Sequence, residues 1–448
     1  MVSWGWAVPT HADDRPNFLF LLADDLGYGD LECYGRDDIR TPHLNQLARD
    51  GVRFTAHYAN GAECTPTRAA FLTGRYQQRI GGLECAIGTG NVGRYDDAVR
   101  LRATNDLGLP TSEQTIVRLL KDAGYATCIS GKWHLGYEQK FAPNLHGFDA
   151  SLYCIGGGMD YFRYNDNLDW YNLYSNGYAV HRTGYFTDLI TDAAIDFLSA
   201  QSADKPFFLY VPFTCPHAPY QGPDDEATSP LSGESPLWQQ GQAPPETYVA
   251  MIERMDACIG RLLKALDARG MRSNTVVIFA SDNGGTASAR NAPLRGIKGQ
   301  TFEGGIRVPG IIRFPGVIPA GIESHEPCLT FDFTASIARL AGVRPAADKP
   351  FEGIDIIGQV AGTAVPVRRD LYWRKQRGEK IWKAVRRQSL KYVALSTPSG
   401  DEEYLFDLAA DPAETHDLRE MQPDRFRELK TAYDQWEQEV RRNRRGQP

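Results

Sequence analysis

Four stretches of the chain are apolar without alternation and end abruptly in polar residues. Asn17 to Ala23 (NFLFLLA) stops at Asp24-Asp25, and Thr275 to Ala280 (TVVIFA) stops at Ser281-Asp282-Asn283-Gly284-Gly285. Tyr125 to Ile129 gives way to Gly131-Lys132-Trp133-His134, and Phe207 to Phe213 to Cys215-Pro216-His217. A strand that is apolar at every position is covered on both faces, the habit of parallel sheets packed between helices.

Between these strands the period is helical. Thr41-Pro42 predicts a helix start ahead of His43 to Asp50, with Gly51 placed to end it. Thr111 and Gln114 fit a capping box for a helix ending near Gly124. A longer helix over Glu246 to Arg269 carries Ile252, Met255, Ile259, Leu262, Leu263 and Leu266 on one stripe. The alternation predicts an α/β fold, a mostly parallel sheet flanked by helices. Ligands of such sheets sit beyond the carboxyl ends of the strands, so Asp24, Asp25, Lys132, His134, His217, Asp282 and Asn283 are expected to converge on one crevice.

After about Val360 the texture changes to short alternating segments, Leu371 to Trp373, Lys383 to Arg386 and Leu390 to Ala394. They predict a small antiparallel sheet, and Phe426, Leu429, Tyr433, Trp436 and Val440 predict a terminal helix beside it. The expected division is a catalytic domain over 13–360 and a smaller α+β domain over 361–448. Arg441, Arg442, Arg444 and Arg445 read as a solvated end. Three long connections, about 79–110, 137–186 and 214–245, are expected to build pocket walls. The second holds Tyr153, Tyr161, Phe162, Tyr164, Trp170, Tyr171 and Tyr174, either a stacking wall for a sugar or aryl group or loop core.

The 448 residues allow two or three domains, and 42% hydrophobic with 23% charged residues describes a soluble globular chain. No apolar run approaches the roughly 18 residues of a membrane span, which excludes a membrane protein. Lys and Arg number 49 against 56 Asp and Glu, a formal −7 that disfavours a general nucleic-acid binder. An anionic substrate must then be captured by local cations. The eight cysteines form no C-x-x-C pair and are too sparse for a disulfide scaffold. Pro9-Thr10-His11-Ala12 suits the end of a trimmed secretory leader, so export to the periplasm or medium is expected.

The segment Cys64-Thr65-Pro66-Thr67-Arg68 places a cysteine at a helix start, with Thr65 as cap and Pro66 in the first turn. The helix dipole and Arg68 one turn on favour a thiolate, a candidate nucleophile or metal ligand. Taken alone, a cysteine is more often buried and inert. An Asp-Asp pair ending a strand is more often a turn or cap, and Lys132, His134 and His217 taken singly are more often solvated or structural.

C-T-P-T-R followed by A-A-F-L-T-G-R resembles the C-x-P-x-R signature of the formylglycine-dependent sulfatases, in which the cysteine is oxidised after translation. The resemblance extends to L-L-A-D-D-L-G-Y-G-D, G-K-W-H-L-G at 131–136, P-H-A-P at 216–219, S-D-N-G-G at 281–285 and R-G-I-K-G-Q-T-F-E-G-G at 295–305. It implies an alkaline-phosphatase-like sheet, a C-terminal domain with a four-stranded antiparallel sheet, and hydrolysis of sulfate monoesters. It also implies one calcium ion held by Asp24, Asp25, Asp282 and Asn283, with residue 64 completing the shell; all are hard oxygen donors once Cys64 is converted. Arg68, Lys132, His134, His217 and Lys298 match the remaining active-site positions.

By the same resemblance, the aldehyde at 64 hydrates, one hydroxyl attacks sulfur, and Arg68 and Lys132 stabilise the charge. His217 then protonates the departing alcohol, Lys298 holds sulfate oxygens, and His134 deprotonates the second hydroxyl to expel sulfate. Conversion implies a formylglycine-generating enzyme as partner and leaves seven cysteines, so at least one thiol has no partner in the chain. The long connections favour a carbohydrate sulfate. The competing readings are a phosphonate monoester or phosphodiester hydrolase on the same scaffold and an inactive sulfoglycan-binding protein. A two-zinc phosphatase is disfavoured by Asn283, where that branch implies histidine.

Overall fold

The computed structural model describes residues 15–202, 204–442 and 444–445. The leader-like Pro9 to Ala12 therefore lies outside the described residues. A ten-stranded sheet forms the centre of the molecule. Five strands at its heart run parallel in the spatial order Thr275–Ser281, Asn17–Ala23, Phe207–Pro212, Ala126–Lys132, Ala150–Cys154. Antiparallel strands Gly310–Arg313 and Leu173–Ser175 adjoin the two ends of this parallel block.

The run Asn17–Ala23 explains why no polar position interrupts it. Phe18, Phe20 and Leu22 enter the core on one face of the sheet, and Leu19, Leu21 and Ala23 the core on the other. Both faces are dry, so every side chain gains from leaving water. Ala126–Lys132 runs three residues past the apolar stretch, making Lys132 the last residue of a strand and not part of the loop.

Two helix starts differ from the sequence pattern. Pro42–Arg49 is capped from outside: Thr41 makes no capping bond, and the Asp256 carboxylate accepts from the His43 and Leu44 N–H groups at 3.1 and 2.8 Å. The helix expected after Thr111 is Ile116–Asp122, capped by Thr115 and not by Thr111, because the Gln114 side chain accepts from Ala346 N–H. The long helix Pro245–Ala268 lies where its stripe places it, with Ile252, Met255, Ile259, Leu262 and Leu266 buried.

The C-terminal sheet has four antiparallel strands, Asp370–Arg377, Lys380–Arg387, Leu390–Thr397 and Gly400–Asp407, backed by helix Pro423–Val440. It is fused to the rest by a shared core in which Tyr58, Phe302 and Phe331 meet Trp373, Val393 and Tyr433. Beneath that core Lys391 is fully buried between Glu303 and Glu414, at 2.8 and 2.9 Å. The arginine tail is not simply solvated. Arg444 pairs with Asp97, and Arg445 donates to the carbonyls of Ile80, Asp106 and Gly108. One guanidinium thus satisfies three backbone carbonyls from separate turns of the chain. No helix among the described residues is long and apolar enough to cross a membrane.

Candidate active site

The carboxyl ends of four parallel strands deliver Asp24, Asp25, Lys132, His217, Asp282 and Asn283 to one place. The ladder continues one step past the strands: Asp24 N–H donates to Cys215 O at 3.0 Å and Asp282 N–H to Ala23 O at 3.1 Å. The loops thus inherit the rigidity of the sheet. Asp25 and His134 hold left-handed backbone, φ 65° and 55°, a conformation that non-glycine residues adopt at a cost and that here turns both side chains inward.

Cys64 opens the helix Cys64–Thr73, every residue of which is buried. Thr65 is not its cap. The Thr65 hydroxyl donates to His134 O and accepts from Ile87 N–H, tying the helix start to two loops. Arg68, one turn on, is fully buried and donates Nε and Nη2 to Asp282 Oδ2 at 3.0 and 2.7 Å and Nη1 to Lys132 O at 3.0 Å. Lys132 Nζ donates to Asp24, and Lys298 Nζ to Asp25 at 2.8 Å. Ligand atoms of Asp24, Asp25, Cys64 and His217 lie within 4.8 Å of one another.

The electrostatics leave a gap for a cation. Burial raises the Asp24 carboxyl well above its ordinary value, and the neighbouring Asp282 carboxylate adds to this against the pull of Lys132. For Asp25 burial is outweighed by Lys298, His217 and hydrogen bonds, and its pKa falls to about 2. Asp24 Oδ1 and Asn283 Oδ1 are buried without any hydrogen-bond donor. Unpaired buried oxygens of this kind are costly unless a positive ion meets them.

The histidines are held as neutral rings. His134 Nε2 donates to Ile87 O at 2.8 Å, which leaves Nδ1 as a buried lone pair without a partner. Burial and then Lys132 depress its pKa well below the usual histidine value. His217 Nδ1 donates to Ala218 O at 2.5 Å, and its Nε2 accepts from Gln240 at 2.9 Å. Burial, Lys298 and Lys132 hold it down to about 4. Gly157 and Gly158 make room for these rings; a Cβ on Gly157 would stand 2.9 Å from His134 Cε1.

Above this centre opens a cavity of about 540 Å³ floored by Cys64, His134, His217 and Lys298. Its walls contain residues that the sequence did not single out: Glu63, Arg94, Trp238, Gln240, Lys375 and Arg377. Lys375 and Arg377 come from the C-terminal sheet, two apart on one strand and so on one face. The aromatics of the 137–186 connection do not line it. Tyr153 is buried on the strand Ala150–Cys154, and Tyr161, Phe162 and Tyr164 are buried in the core beneath the loop, where Tyr161 OH donates to Thr214 O and Tyr164 OH to Gly184 O. All eight cysteines are free.

The doubly covered parallel sheet, with acids, cations and a helix-start cysteine at its carboxyl edge, defines an alkaline-phosphatase-like hydrolase. Residues 16–343 match the Sulfatase family model, and the chain belongs to the sulfatase family, enzymes that hydrolyse sulfate esters. It is 34% identical to N-acetylgalactosamine-6-sulfatase of Canis lupus familiaris over 81% of this chain and 69% of that protein. It is 29% identical to steryl-sulfatase of Rattus norvegicus over 90% and 85%. The solved structure of Ps i-CgsB in complex with k-i-k-neocarrahexaose superposes with a TM-score of 0.82 at 28% identity, covering 97% of this chain and 95% of that one.

Proposed function

We propose that the enzyme removes sulfate from a sulfated carbohydrate, using a formylglycine formed from Cys64 and one calcium ion. The observation that carries this reading is Cys64 at the start of a buried helix, within 4.8 Å of the ligand atoms of Asp24, Asp25 and His217, in a cavity that His134 and Lys298 also line. Asp24, Asp25, Asp282 and Asn283 would hold the calcium with residue 64. They are oxygen donors, and the partnerless Oδ1 atoms of Asp24 and Asn283 suit a hard cation. Bound there, the ion supplies electrostatic stabilisation of negative charge at residue 64 and on sulfate. The hydrated aldehyde would supply an oxygen nucleophile that a thiol lacks.

The remaining work falls to side chains of this chain. Lys298 and Lys132 would face sulfate oxygens, and Arg68 fixes Asp282 and the end of the Lys132 strand. His217 would protonate the departing sugar oxygen; its low pKa makes the proton easy to give, and the negative substrate favours its charging on binding. His134, with Nδ1 free, would take the proton from residue 64 when sulfate leaves. A saccharide is favoured by the breadth of the cavity, by Trp238 as a ring-sized apolar wall and by the likeness to N-acetylgalactosamine-6-sulfatase. The reading divides the chain at 360/361 and places the enzyme in the periplasm or outside the cell, matured by a formylglycine-generating enzyme.

The mass of the tryptic peptide Phe54 to Arg68 from native-host protein tests it. An aldehyde or its hydrate at residue 64, with sulfate released from N-acetylgalactosamine 6-sulfate or 4-nitrocatechol sulfate and release lost on chelation and restored by calcium, is the expected result. An intact thiol in active protein, or faster cleavage of a matched phosphonate monoester, would overturn it.

A further inference from the structure

The outer wall of the cavity carries positive charge that release of a single sulfate does not use. Arg94, Lys375 and Arg377 stand there with one carboxylate, Glu63. Lys375 Nζ lies 3.0 Å from Glu63 Oε1 and Arg377 Nη2 3.3 Å from Oε2, so both Glu63 oxygens are taken. Arg94 makes no ion pair among the described residues; it is largely buried, with Arg377 acting on it as a like charge and the shared Glu63 as the opposite one. Lys298 differs, its charge being matched by Asp25. The excess is local, since the chain as a whole is at −7.

Backbone and side-chain bonds hold this wall together. The hairpin turn after Arg377 is pinned to the other side of the wall, Gly378 N–H donating to Arg94 O at 2.6 Å. Lys375 Nζ also donates to Gly299 O at 3.1 Å, next to Lys298. Gathering like charges in a concave, partly dry wall costs free energy and focuses the field into the cavity. An anion placed there relieves the repulsion, and a guanidinium fork fits a sulfate or carboxylate edge to edge.

We infer that Arg94, Lys375 and Arg377 form a second anion subsite, so that the substrate is an oligosaccharide carrying a further anionic group near the sulfate that is cleaved. This rests on the sulfated-carbohydrate reading and narrows it. The C-terminal sheet then supplies specificity by contributing two of the three cations.

The test uses calorimetry on the Cys64→Ser protein with three disaccharides that share N-acetylgalactosamine 6-sulfate. The adjoining sugar is glucose, glucuronate or glucose 2-sulfate. At low salt one or both charged disaccharides should bind about tenfold tighter than the neutral one, about 1.4 kcal/mol. The gain should shrink at about 0.5 M salt, where screening is strong. It should vanish in Arg94→Gln/Arg377→Gln. A larger gain with the sulfated partner identifies a second sulfate as the ligand, and the reverse a carboxylate. Equal affinity for all three, a gain indifferent to salt, or a gain surviving in the double variant overturns the inference. Binding is read without turnover, so absence of sulfate release by matured enzyme strikes only the sulfatase mechanism, and absence of a charge preference strikes only the subsite.

Discussion

Arg68 spends its donors on an acid and a strand end: two go to Asp282 and one to the carbonyl of Lys132, all out of water. Truncating one partner of a buried pair leaves the other charged and unpaired, at a cost of about 3–5 kcal/mol. Arg68→Ala should therefore lose that much stability in urea unfolding together with activity, and a loss under about 1 kcal/mol would mean that Arg68 does not hold the network. Lys cannot replace it, because one ammonium cannot reach both partners in a fork. Glu414 makes a separate prediction. Burial lifts its pKa from 4.5 to about 7 against the pull of Lys391, while Lys391 and nearby arginines overcome burial to bring Glu303 down to about 2. A raised folded pKa means that the folded protein binds this proton more tightly. The stability it contributes is full below the unfolded value of 4.5 and is lost as pH rises through about 7. Glu303 has the opposite sign, losing its contribution as pH falls from 4.5 toward 2. Thermal unfolding should show the melting temperature falling between about pH 5 and 7.5. In Glu414→Gln that slope should flatten.

At the scale of elements, helix starts show what a local pattern can and cannot say. Thr41-Pro42 locates the start of Pro42–Arg49, yet the N–H groups find their acceptor on Asp256, in the middle of another helix. The two helices are thereby joined end to side. Asp256→Ala should destabilise the protein by about 0.5–2 kcal/mol, as for loss of a cap, and Asp256→Asn, which keeps an acceptor, by less; guanidinium unfolding of the two variants distinguishes cap from mere packing. Strand ends were more legible than helix starts. A fully apolar run ending in Asp-Asp or Ser-Asp-Asn marks where the dry interior stops, and burial enforces that boundary wherever the strand sits in the sheet. Gly131-Lys132 hid the last part of its strand because a fully buried lysine breaks the apolar pattern, and its charge is accommodated only by Asp24, which comes from another strand end.

For the whole molecule, the C-terminal sheet is part of the site as well as an appendage of the fold. Trp373 is buried in the joint and donates Nε1–H to Ala59 O at 2.8 Å, and Lys375 and Arg377 follow it along the same strand into the cavity wall. Trp373→Ala should cost about 3–5 kcal/mol by opening a cavity in the shared core. It should also weaken binding of charged disaccharides more than of neutral ones; an unchanged charge preference would separate the joint from the wall. The strand and helix alternation, the apolar boundaries and the placing of Asp24, Asp25, Lys132, His134, His217, Asp282 and Asn283 at or just past strand ends were legible in the chain, because each lies in a short segment whose neighbours mark where the dry interior stops; the site roles of Arg68 and Lys298 were reached only through the resemblance of their motifs. Their partnerships came from the folded chain: Arg68 with Asp282 across 214 residues, the free Nδ1 of His134, the inward turn of the tyrosines and the hairpin after Arg377 closing on Arg94. Those depend on which loops share a strand end and which hairpin closes the wall, and the pairing of distant segments is fixed by the packing of the whole core and not by any local pattern.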